Sequence, residues 1–310
     1  MLTKTPPARD PIEALLTSPE GAVLAVIAGV EGPSYRPVGA MMAVFSEVER
    51  AGTLSSGCIE SDIALHAMEA AQTGHPRMLR YGRGSPFADI QLPCGGGLDI
   101  LLLPGPDRVV LAEIAENQSA RRPCALVIET DTGAMSLTAA GHTGRDGTLL
   151  IVRFDPEIRF LVFGKGPEAS TFAALVQSAG YPNLLLSPDT ETLENAASSG
   201  SETRHIRSPE FPADLAVDDR TAVVLFFHDH DWEPPILAGA LATPAFYIGA
   251  QGSQRARDAR LMMLHALGVS EQECARLHGP VGLIPSARDA GTLAVSVLAE
   301  VLAKAMARAE

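Results

Sequence analysis

The segment between Arg159 and Ala179 constrains the fold of this chain more than any other. An apolar run, Phe160 to Phe163, leads into Gly164-Lys-Gly-Pro-Glu-Ala169, and a helical pattern carrying Phe172 and Val176 follows directly. A strand that ends in a glycine turn and continues into a helix is the opening of a βαβ unit. The segment therefore predicts a parallel sheet with helices packed on it.

Strand and helix patterns continue to alternate after that unit. They occur at Leu184 to Leu186, Ala222 to Phe227, Ile236 to Leu241, Phe246 to Ile248, Arg255 to Ala266 and Ala294 to Ala305. This alternation is typical of a doubly wound sheet covered on both faces. We expect residues 156–310 to form a Rossmann-like parallel-sheet domain.

The preceding residues follow a different pattern. Strands are predicted at Ala22 to Val30, Ala40 to Phe45, Arg77 to Tyr81, Leu98 to Leu103, Cys124 to Glu129 and Leu149 to Phe154, and helices at Ile59 to Thr73 and Val109 to Glu116. A length of 310 residues suits two domains at about 150 residues each. We expect an α/β protein: an N-terminal α+β domain over 1–155, a linker at Asp155-Pro156, and the Rossmann-like domain.

Charge and hydropathy exclude several classes of function. A formal charge of −13 and a pI near 5.1 repel phosphate backbones, so nucleic acid is not expected as a partner. The apolar stretches are far shorter than the roughly 20 residues of a membrane span. The first residues also lack the apolar region of a signal peptide. These features predict a cytoplasmic protein without a membrane span.

Cys58 is the first candidate reactive residue. It lies in Gly52-Thr-Leu-Ser-Ser-Gly-Cys-Ile-Glu60, where a glycine turn leads directly into a predicted helix. The positive end of a helix and its unpaired first-turn N–H groups favour thiolate over thiol. A thiolate at this position could attack a substrate, bind a metal or carry sulfur.

Cys94 is the second candidate, because it precedes Gly95-Gly96-Gly97. Successive glycines can present backbone N–H groups to an anion, which would then lie beside the thiol. The alternative is a flexible turn with a half-buried cysteine. Two cysteines next to glycine in one domain favour the functional interpretation, whereas Cys124 and Cys274 have no such setting.

The loop Glu31 to Gly39 carries Arg36 between two predicted strands. The planar guanidinium of arginine suits phosphate or carboxylate ligands. A surface arginine in a structural loop explains the same pattern.

In the second half, Gly164, Gly166 and Ala169 fit the dinucleotide-binding fingerprint. The acid that usually binds ribose at the end of the next strand is replaced by Ser187, with Asp189 two residues later. A tight strand-to-helix turn that binds nothing remains an equal alternative.

Two further segments follow predicted strands of the same sheet. His228-Asp-His230 stands after Phe227, where open α/β sheets bind ligands, and polar ligand contact is favoured over metal because no third ligand is evident. Gly249-Ala-Gln-Gly-Ser253 precedes a helix with Arg255, Arg257 and Arg260. That segment indicates either an anion site or an ordinary turn before a solvated basic face.

Taken together, these segments resemble the xanthine dehydrogenase accessory protein family, XdhC/CoxI. The resemblance rests on Gly32 to Ala40, Gly52 to Glu60, Cys94-Gly-Gly, Gly164 to Ala169, His228-Asp-His230, Tyr247 to Ser253, Arg257 and His278 to Leu283. The sequence departs from the family at Tyr35, Ser187 and Ile284-Pro285, and Ser187 makes NAD(P) binding doubtful.

The resemblance implies a chaperone that binds molybdopterin cofactor, holds it during sulfuration and inserts it into xanthine dehydrogenase or a related molybdenum hydroxylase. Cys58 and Cys94 would contact molybdenum or handle sulfur. The other implied cofactor contacts are Ser34, Arg36, Gly57, Glu60, Gly95, Gly96, Gly164, Gly166, His228, His230, Gly249, Gly252, Ser253 and Arg257.

The implied partners are the molybdenum subunit of the dehydrogenase and a cysteine desulfurase, and a homo-oligomer would bring two sets of sites together. An NAD(P)-dependent oxidoreductase using the C-terminal domain, with NAD(P) or another nucleotide as cofactor, is the alternative. A pure assembly scaffold without a small ligand is the third hypothesis.

Overall fold

The computed structural model describes residues 10–18, 21–57, 59–86, 92, 95–227 and 231–308. The chain forms two compact units, Met1–Pro156 and Glu157–Glu310. The first unit combines antiparallel sheets with helices, and the second contains a parallel sheet. The expected fold class, an α+β domain followed by a Rossmann-like domain, is confirmed.

The first unit contains two antiparallel sheets, with strand orders β3-β2-β1-β5-β4 and β7-β6-β9-β8. Its strands are β1 Val23–Glu31, β2 Met41–Val44, β3 Arg50–Gly52, β4 Arg77–Gly82, β5 Gly97–Pro104, β6 Cys124–Glu129, β7 Met135–Thr138, β8 Gly144–Asp146 and β9 Leu149–Phe154. Its helices are α1 Pro11–Thr17, α2 Glu60–Thr73 and α3 Arg108–Ser119.

Strand β1 lies at the centre of the five-stranded sheet and is buried on both faces. Val23 and Ile27 pack in the cluster that contains Ile63 of α2. Leu24 and Val26 point the other way, into the cluster of α1, α3 and the second sheet. Because both faces are covered, the strand reads as a continuous apolar run instead of an alternating one.

The second unit contains a six-stranded parallel sheet of order β12-β11-β10-β13-β14-β15. Its strands are β10 Arg159–Gly164, β11 Asn183–Ser187, β12 Glu202–His205, β13 Thr221–Phe226, β14 Tyr247–Ala250 and β15 Leu277–His278. Its helices are α4 Pro167–Ser178, α5 Thr190–Ser198, α6 Glu233–Leu241, α7 Gln254–Ala266, α8 Glu271–Cys274 and α9 Ala290–Met306.

Helices cover both faces of the parallel sheet. Phe172 of α4 and Val297 of α9 belong to the cluster on one face. Ile236 of α6 and Leu264 of α7 belong to the cluster on the other. Strand order reverses between β10 and β13, so the crevice where sheets of this type bind ligands lies beyond the carboxyl ends of these two strands.

A membrane-spanning helix does not occur in the described part of the chain, where every helix is too short or too polar to cross a bilayer.

Candidate functional site

Four of the predicted site residues, Cys58, Cys94, His228 and His230, lie outside the described residues. Their proposed roles stay predictions. The structure describes residues near each of them in the sequence, and these described residues define two candidate regions, one in each unit.

Apart from Glu60, the first residue of α2, the predicted residues of the first unit belong by sequence to three loops at the same end of the five-stranded sheet. We call them the first loop (residues 32–40, after β1), the second loop (53–59, after β3) and the third loop (83–96, before β5). Glu31 and Gly82 both pair with Gly97, and Gly52 pairs with Met42 near the start of β2. The strand ends that carry the three loops are therefore neighbours in one sheet.

The first and third loops contact each other through backbone atoms. A side-chain carbon on Gly96 would lie 2.1 Å from the carbonyl oxygen of Pro33 and 2.9 Å from that of Glu31. The Gly96 carbonyl accepts a hydrogen bond from the Arg83 N–H at 3.0 Å. Only glycine permits this approach, so Gly96 has a structural reason to be glycine in addition to its predicted contact with an anion.

Arg80 binds the strand ends below these loops. Its guanidinium donates to both carboxylate oxygens of Asp99 at 3.1 Å, to the carboxylate of Glu31, and through Nε to the Arg83 carbonyl at 2.9 Å. Hydrogen bonding to Asp99 raises the pKa of Arg80. The guanidinium therefore ties β1, β4 and β5 together.

Ser34 and Arg36 are joined by hydrogen bonds within the first loop. The Ser34 hydroxyl donates to the Arg36 carbonyl at 2.7 Å and accepts from the Arg36 N–H at 3.3 Å. Ser34 thus shapes the turn. Arg36 is exposed, and no residue in the described ranges forms an ion pair with its guanidinium, which leaves the group available to an anion.

Glu60 accepts hydrogen bonds from the second loop and is only 5% exposed. The donors to Oε1 are Thr53 Oγ1 at 2.6 Å, Leu54 N at 3.1 Å and Ser55 N at 2.8 Å. The donors to Oε2 are Ser55 Oγ at 2.6 Å, Gly57 N at 2.9 Å and Ile59 N at 3.2 Å. Burial raises the pKa of Glu60, but the hydrogen bonds, led by Ser55 and Thr53, outweigh it and lower the pKa to about 2.

In the second unit, close packing requires glycine at one position of the Gly164-Lys165-Gly166 turn, and backbone conformation requires it at the other. A side-chain carbon on Gly164 would lie 2.7 Å from the Phe226 carbonyl oxygen and 2.8 Å from Ala169 Cβ. Gly166 has a φ of 93°, which disfavours any other residue. The turn thus brings β10, β13 and the start of α4 close together.

Two backbone N–H groups that could bind the phosphates of a dinucleotide there already donate hydrogen bonds within the protein. Gly166 N donates to Thr192 Oγ1 at 2.8 Å, and Lys165 N donates to the Phe226 carbonyl at 3.1 Å. Asp189 caps α5 by accepting from Thr192 N at 2.9 Å, and its hydrogen bonds with Thr192 lower its pKa. Binding of NAD(P) by this turn stays a prediction.

The Gly249 to Ser253 segment lies at the same end of the parallel sheet, where Gly249 and Ala250 end β14 and residues 251–253 follow it. A carbon on Gly249 would lie 2.7 Å from Val281 Cγ1, so the glycine allows close packing. Ser253 caps α7 by accepting from Ala256 N at 3.2 Å. The first turn of α7 contains Arg255 and Arg257 and no acid, a charge distribution that would suit an anion, and the anion site stays a prediction.

Arg260 is buried, although its helix was expected to present a solvated or anion-binding basic face. It is 3% exposed, forms an ion pair with the buried Glu233 at the start of α6, and donates through Nη2 to the Gln251 carbonyl at 2.7 Å. Its spacing of one helical turn from buried Leu264 is the sequence feature that could have indicated this.

A second polar cluster that the sequence did not reveal joins β14, β15 and α9. The rings of Tyr247 and His278 stack at 4.5 Å with an interplanar angle of 4°. Glu300 accepts from the Tyr247 hydroxyl at 3.0 Å and from the Gly282 N–H. Burial lowers the pKa of His278, although the Glu300 carboxylate opposes this. The cluster holds the His278 to Leu283 segment against the sheet.

The described ranges do not contain three His, Cys, Asp or Glu side chains grouped so as to hold a metal ion. The predicted metal contacts, Cys58 and Cys94, are not among the residues searched.

Comparison with known proteins places both units in one group of proteins. Residues 15–82 match the XdhC and CoxI family, and residues 160–301 match the XdhC Rossmann domain. The chain is 36% identical over 298 residues to the molybdenum cofactor insertion chaperone PaoD of Escherichia coli (strain K12), covering 94% of this chain and 86% of PaoD.

Two further similarities extend over almost the full length. A protein of Bacillus subtilis (strain 168), described as a probable xanthine dehydrogenase subunit, is 24% identical over 322 residues, covering 94% of this chain and 95% of that protein. A crystal structure described as a xanthine dehydrogenase from Bacillus halodurans superposes with a TM-score of 0.78 at 22% identity, covering 96% and 95% of the two chains. The latter likeness concerns the fold.

Proposed function

Because this chain belongs to the XdhC and CoxI family, we propose that it is a cytoplasmic chaperone for molybdenum cofactor. In this proposal the protein holds the cofactor while its terminal sulfido ligand is installed, then inserts it into xanthine dehydrogenase or a related molybdenum hydroxylase. The cofactor is cargo, and a cysteine desulfurase supplies the sulfur. The similarity to PaoD along most of both chains supports this role.

The observation that carries the proposal is the grouping of the three loops at one end of the first sheet. Arg36 offers an exposed guanidinium, which suits the phosphate of the pterin. A side-chain carbon at Gly57 or Gly95 would have no neighbour within 4 Å among the described residues, so both positions leave room for a ligand. The charge and the space of this region fit a bulky anion.

The thiols of Cys58 and Cys94 belong to the second and third loops by sequence. We propose that their sulfur atoms face the molybdenum, because thiolates are ligands for soft metal centres. The second unit would bind a nucleotide or a phosphate group through residues near the ends of its strands, namely Gly164, Gly166, Gly249, Gly252, Ser253, Arg257, His228 and His230.

The alternative function is an NAD(P)-dependent oxidoreductase based on the turn at Gly164 to Gly166. That turn lies beside the crevice between β10 and β13, which favours a ligand, but the Gly166 N–H already donates to Thr192. A titration with NAD(H) and NADP(H), followed by Trp232 fluorescence, separates the two functions. Saturable binding together with hydride transfer would favour the oxidoreductase.

The chaperone function is tested by purifying the protein from hosts with and without molybdopterin synthesis and assaying released pterin fluorescence. We expect pterin only from the competent host. Cys58→Ala should no longer deliver active, sulfurated dehydrogenase, whereas Cys274→Ala, in the short helix α8, should deliver it normally. Absence of pterin from both preparations and from protein incubated with cofactor would refute the proposal.

A further inference from the structure

We propose that Glu60 is a positioning residue for the segment that carries Cys58, and does not contact the cofactor itself. The inference rests on the role proposed above for Cys58. It reassigns Glu60, which the family resemblance groups with the cofactor contacts.

Hydrogen bonds from the protein itself occupy the carboxylate of Glu60. A carboxylate presents about four lone-pair directions. Six donors from residues 53–59 surround the two oxygens of Glu60, at 2.6 to 3.2 Å. No acceptor direction therefore remains for a ligand, and burial of the side chain keeps a ligand at a distance.

The loop that Glu60 holds has an unfavourable backbone conformation. Ser56 has a φ of 63° and Gly57 a φ of 105°, so two successive residues before Cys58 lie in the left-handed region. A non-glycine residue there is unfavourable and persists only where the surroundings impose it. Thr53 Oγ1 accepts from Ser56 N at 3.1 Å, and the same hydroxyl donates to Glu60. The carboxylate thus stabilises a turn that the chain alone would not adopt.

The residues before and after Cys58 in the sequence also donate hydrogen bonds to Glu60. Gly57 N and Ile59 N, one on each side of it, both donate to Oε2 of Glu60. Ile59 N also donates to Ser55 Oγ at 3.1 Å. One carboxylate oxygen therefore fixes the residues that flank the thiol. These two N–H groups are therefore not available to an anion.

The first test uses ligand-free protein. In a Cys94→Ser background, the rate of iodoacetamide labelling at Cys58, located by peptide mass analysis, is compared for the parent, Glu60→Gln and the exposed control Glu113→Gln. We expect Glu60→Gln to raise the rate at least about fivefold, because lost charge-assisted hydrogen bonds release the loop. The control should match the parent. A smaller rise, or a fall, overturns the proposal.

If Glu60→Gln does not fold, Ser55→Ala replaces it in the same assay. This change removes one donor to Oε2 and one acceptor for Ile59 N while leaving the carboxylate in place. The labelling rate should again rise, and an unchanged rate overturns the proposal.

The second test is a double-mutant cycle on pterin binding with Glu60→Gln, Cys58→Ala and the double variant. A positioning residue acts through Cys58, so Glu60→Gln should weaken binding in the parent and add nothing in Cys58→Ala. Additive losses would make Glu60 a direct contact and overturn the proposal. If Cys58→Ala binds as the parent does, the proposed role of Cys58 fails, while the labelling result still decides whether Glu60 holds the loop.

Discussion

Arg36 is an exposed positive charge of the three-loop region. Its side chain extends from a turn that Ser34 shapes, and its guanidinium has no ion-pair partner in the described ranges. In a chain with a formal charge of −13, one such group can decide whether an anion binds at this end of the sheet.

Replacing Arg36 by alanine should weaken pterin binding about tenfold, because one charge-assisted hydrogen bond to phosphate is lost. The free energy of unfolding should not change, since the side chain is exposed. Pterin retained after dialysis measures the first quantity and urea unfolding the second. Arg145→Ala, which removes an exposed arginine in β8 of the four-stranded sheet, is the matched control. Equal losses in both variants would contradict a specific role for Arg36.

Glu60 connects the protonation of one carboxyl to the stability of the first unit. Its pKa is about 2 in the folded chain, against an ordinary value of 4.5. Because the folded state binds the proton more weakly, the carboxylate stabilises the protein above about pH 4.5, and this contribution disappears as the pH falls towards 2.

We therefore expect Glu60→Gln to lower the free energy of unfolding by about 3 kcal/mol at neutral pH. The difference from the parent should shrink as the pH falls below about 4.5. Urea unfolding at several pH values measures it. Glu113→Gln, an exposed substitution, should stay within about 0.5 kcal/mol of the parent. A difference that is the same at every pH would show that the effect is not due to the charge.

The glycines of the third loop differ in what surrounds them, although they are neighbours in the sequence. Gly96 lies against the Pro33 carbonyl, whereas a side-chain carbon on Gly95, whose φ is 72°, would have no neighbour within 4 Å among the described residues. Alanine at Gly95 should cost about 1 kcal/mol of stability through backbone strain alone. Alanine at Gly96 should cost more and weaken pterin binding, because the first and third loops must separate. Thermal unfolding and pterin release measure both, and equal effects would contradict the contact.

Helices α6 and α7 are joined by the buried pair of Glu233 and Arg260. Removing one partner leaves the other charged and buried, so Arg260→Met should cost about 3 to 5 kcal/mol. The double variant Glu233→Leu/Arg260→Met should recover most of that loss. Denaturant unfolding measures each value, and Arg255→Met, an exposed arginine on α7, is the control. Recovery by the double variant is the decisive result; additive losses would mean that the two residues act separately.

The sequence patterns predicted the elements that bury large apolar faces. The run from Phe160 to Phe163 became β10, and the helix expected at Ile59 to Thr73 became α2, which begins at Glu60. Short or polar elements, such as β3, β8, β12 and α1, were missed. Their few buried side chains produce no clear periodicity, and their positions depend on pairing with distant strands.

Fewer features of the two candidate regions than of the fold could be predicted from the sequence. Turn residues such as Gly166 follow local rules, because a positive φ requires glycine. The roles of Glu60 and Arg260 depend on groups that approach only after folding. The sequence shows a carboxylate beside the start of a helix, but it does not show that six N–H and O–H groups donate hydrogen bonds to it.

At the scale of the whole molecule, each unit has its own hydrophobic clusters. The residues of the two clusters built on β1 all lie before Pro156, and those of the two clusters on the parallel sheet all lie after it. Units of about 150 residues bury enough surface to fold alone.

We therefore expect residues 1–156 and 157–310, expressed separately, each to unfold cooperatively with temperature when followed by circular dichroism. The first fragment should also retain weak pterin binding, since it contains the three loops. The full chain carrying Arg260→Met is a useful comparison, because that substitution should lower only the transition of the second unit. A first fragment without a cooperative transition would contradict independent folding.

The contact between Gly96 and Pro33 has a consequence for engineering and for evolution. With a carbonyl oxygen 2.1 Å from where a side chain would begin, neither loop can change its path without a matching change in the other. Grafting one of them from a relative in order to alter cargo preference should therefore fail unless both are transplanted as a pair. Lineages that diverged in what they carry should likewise have exchanged these two segments together.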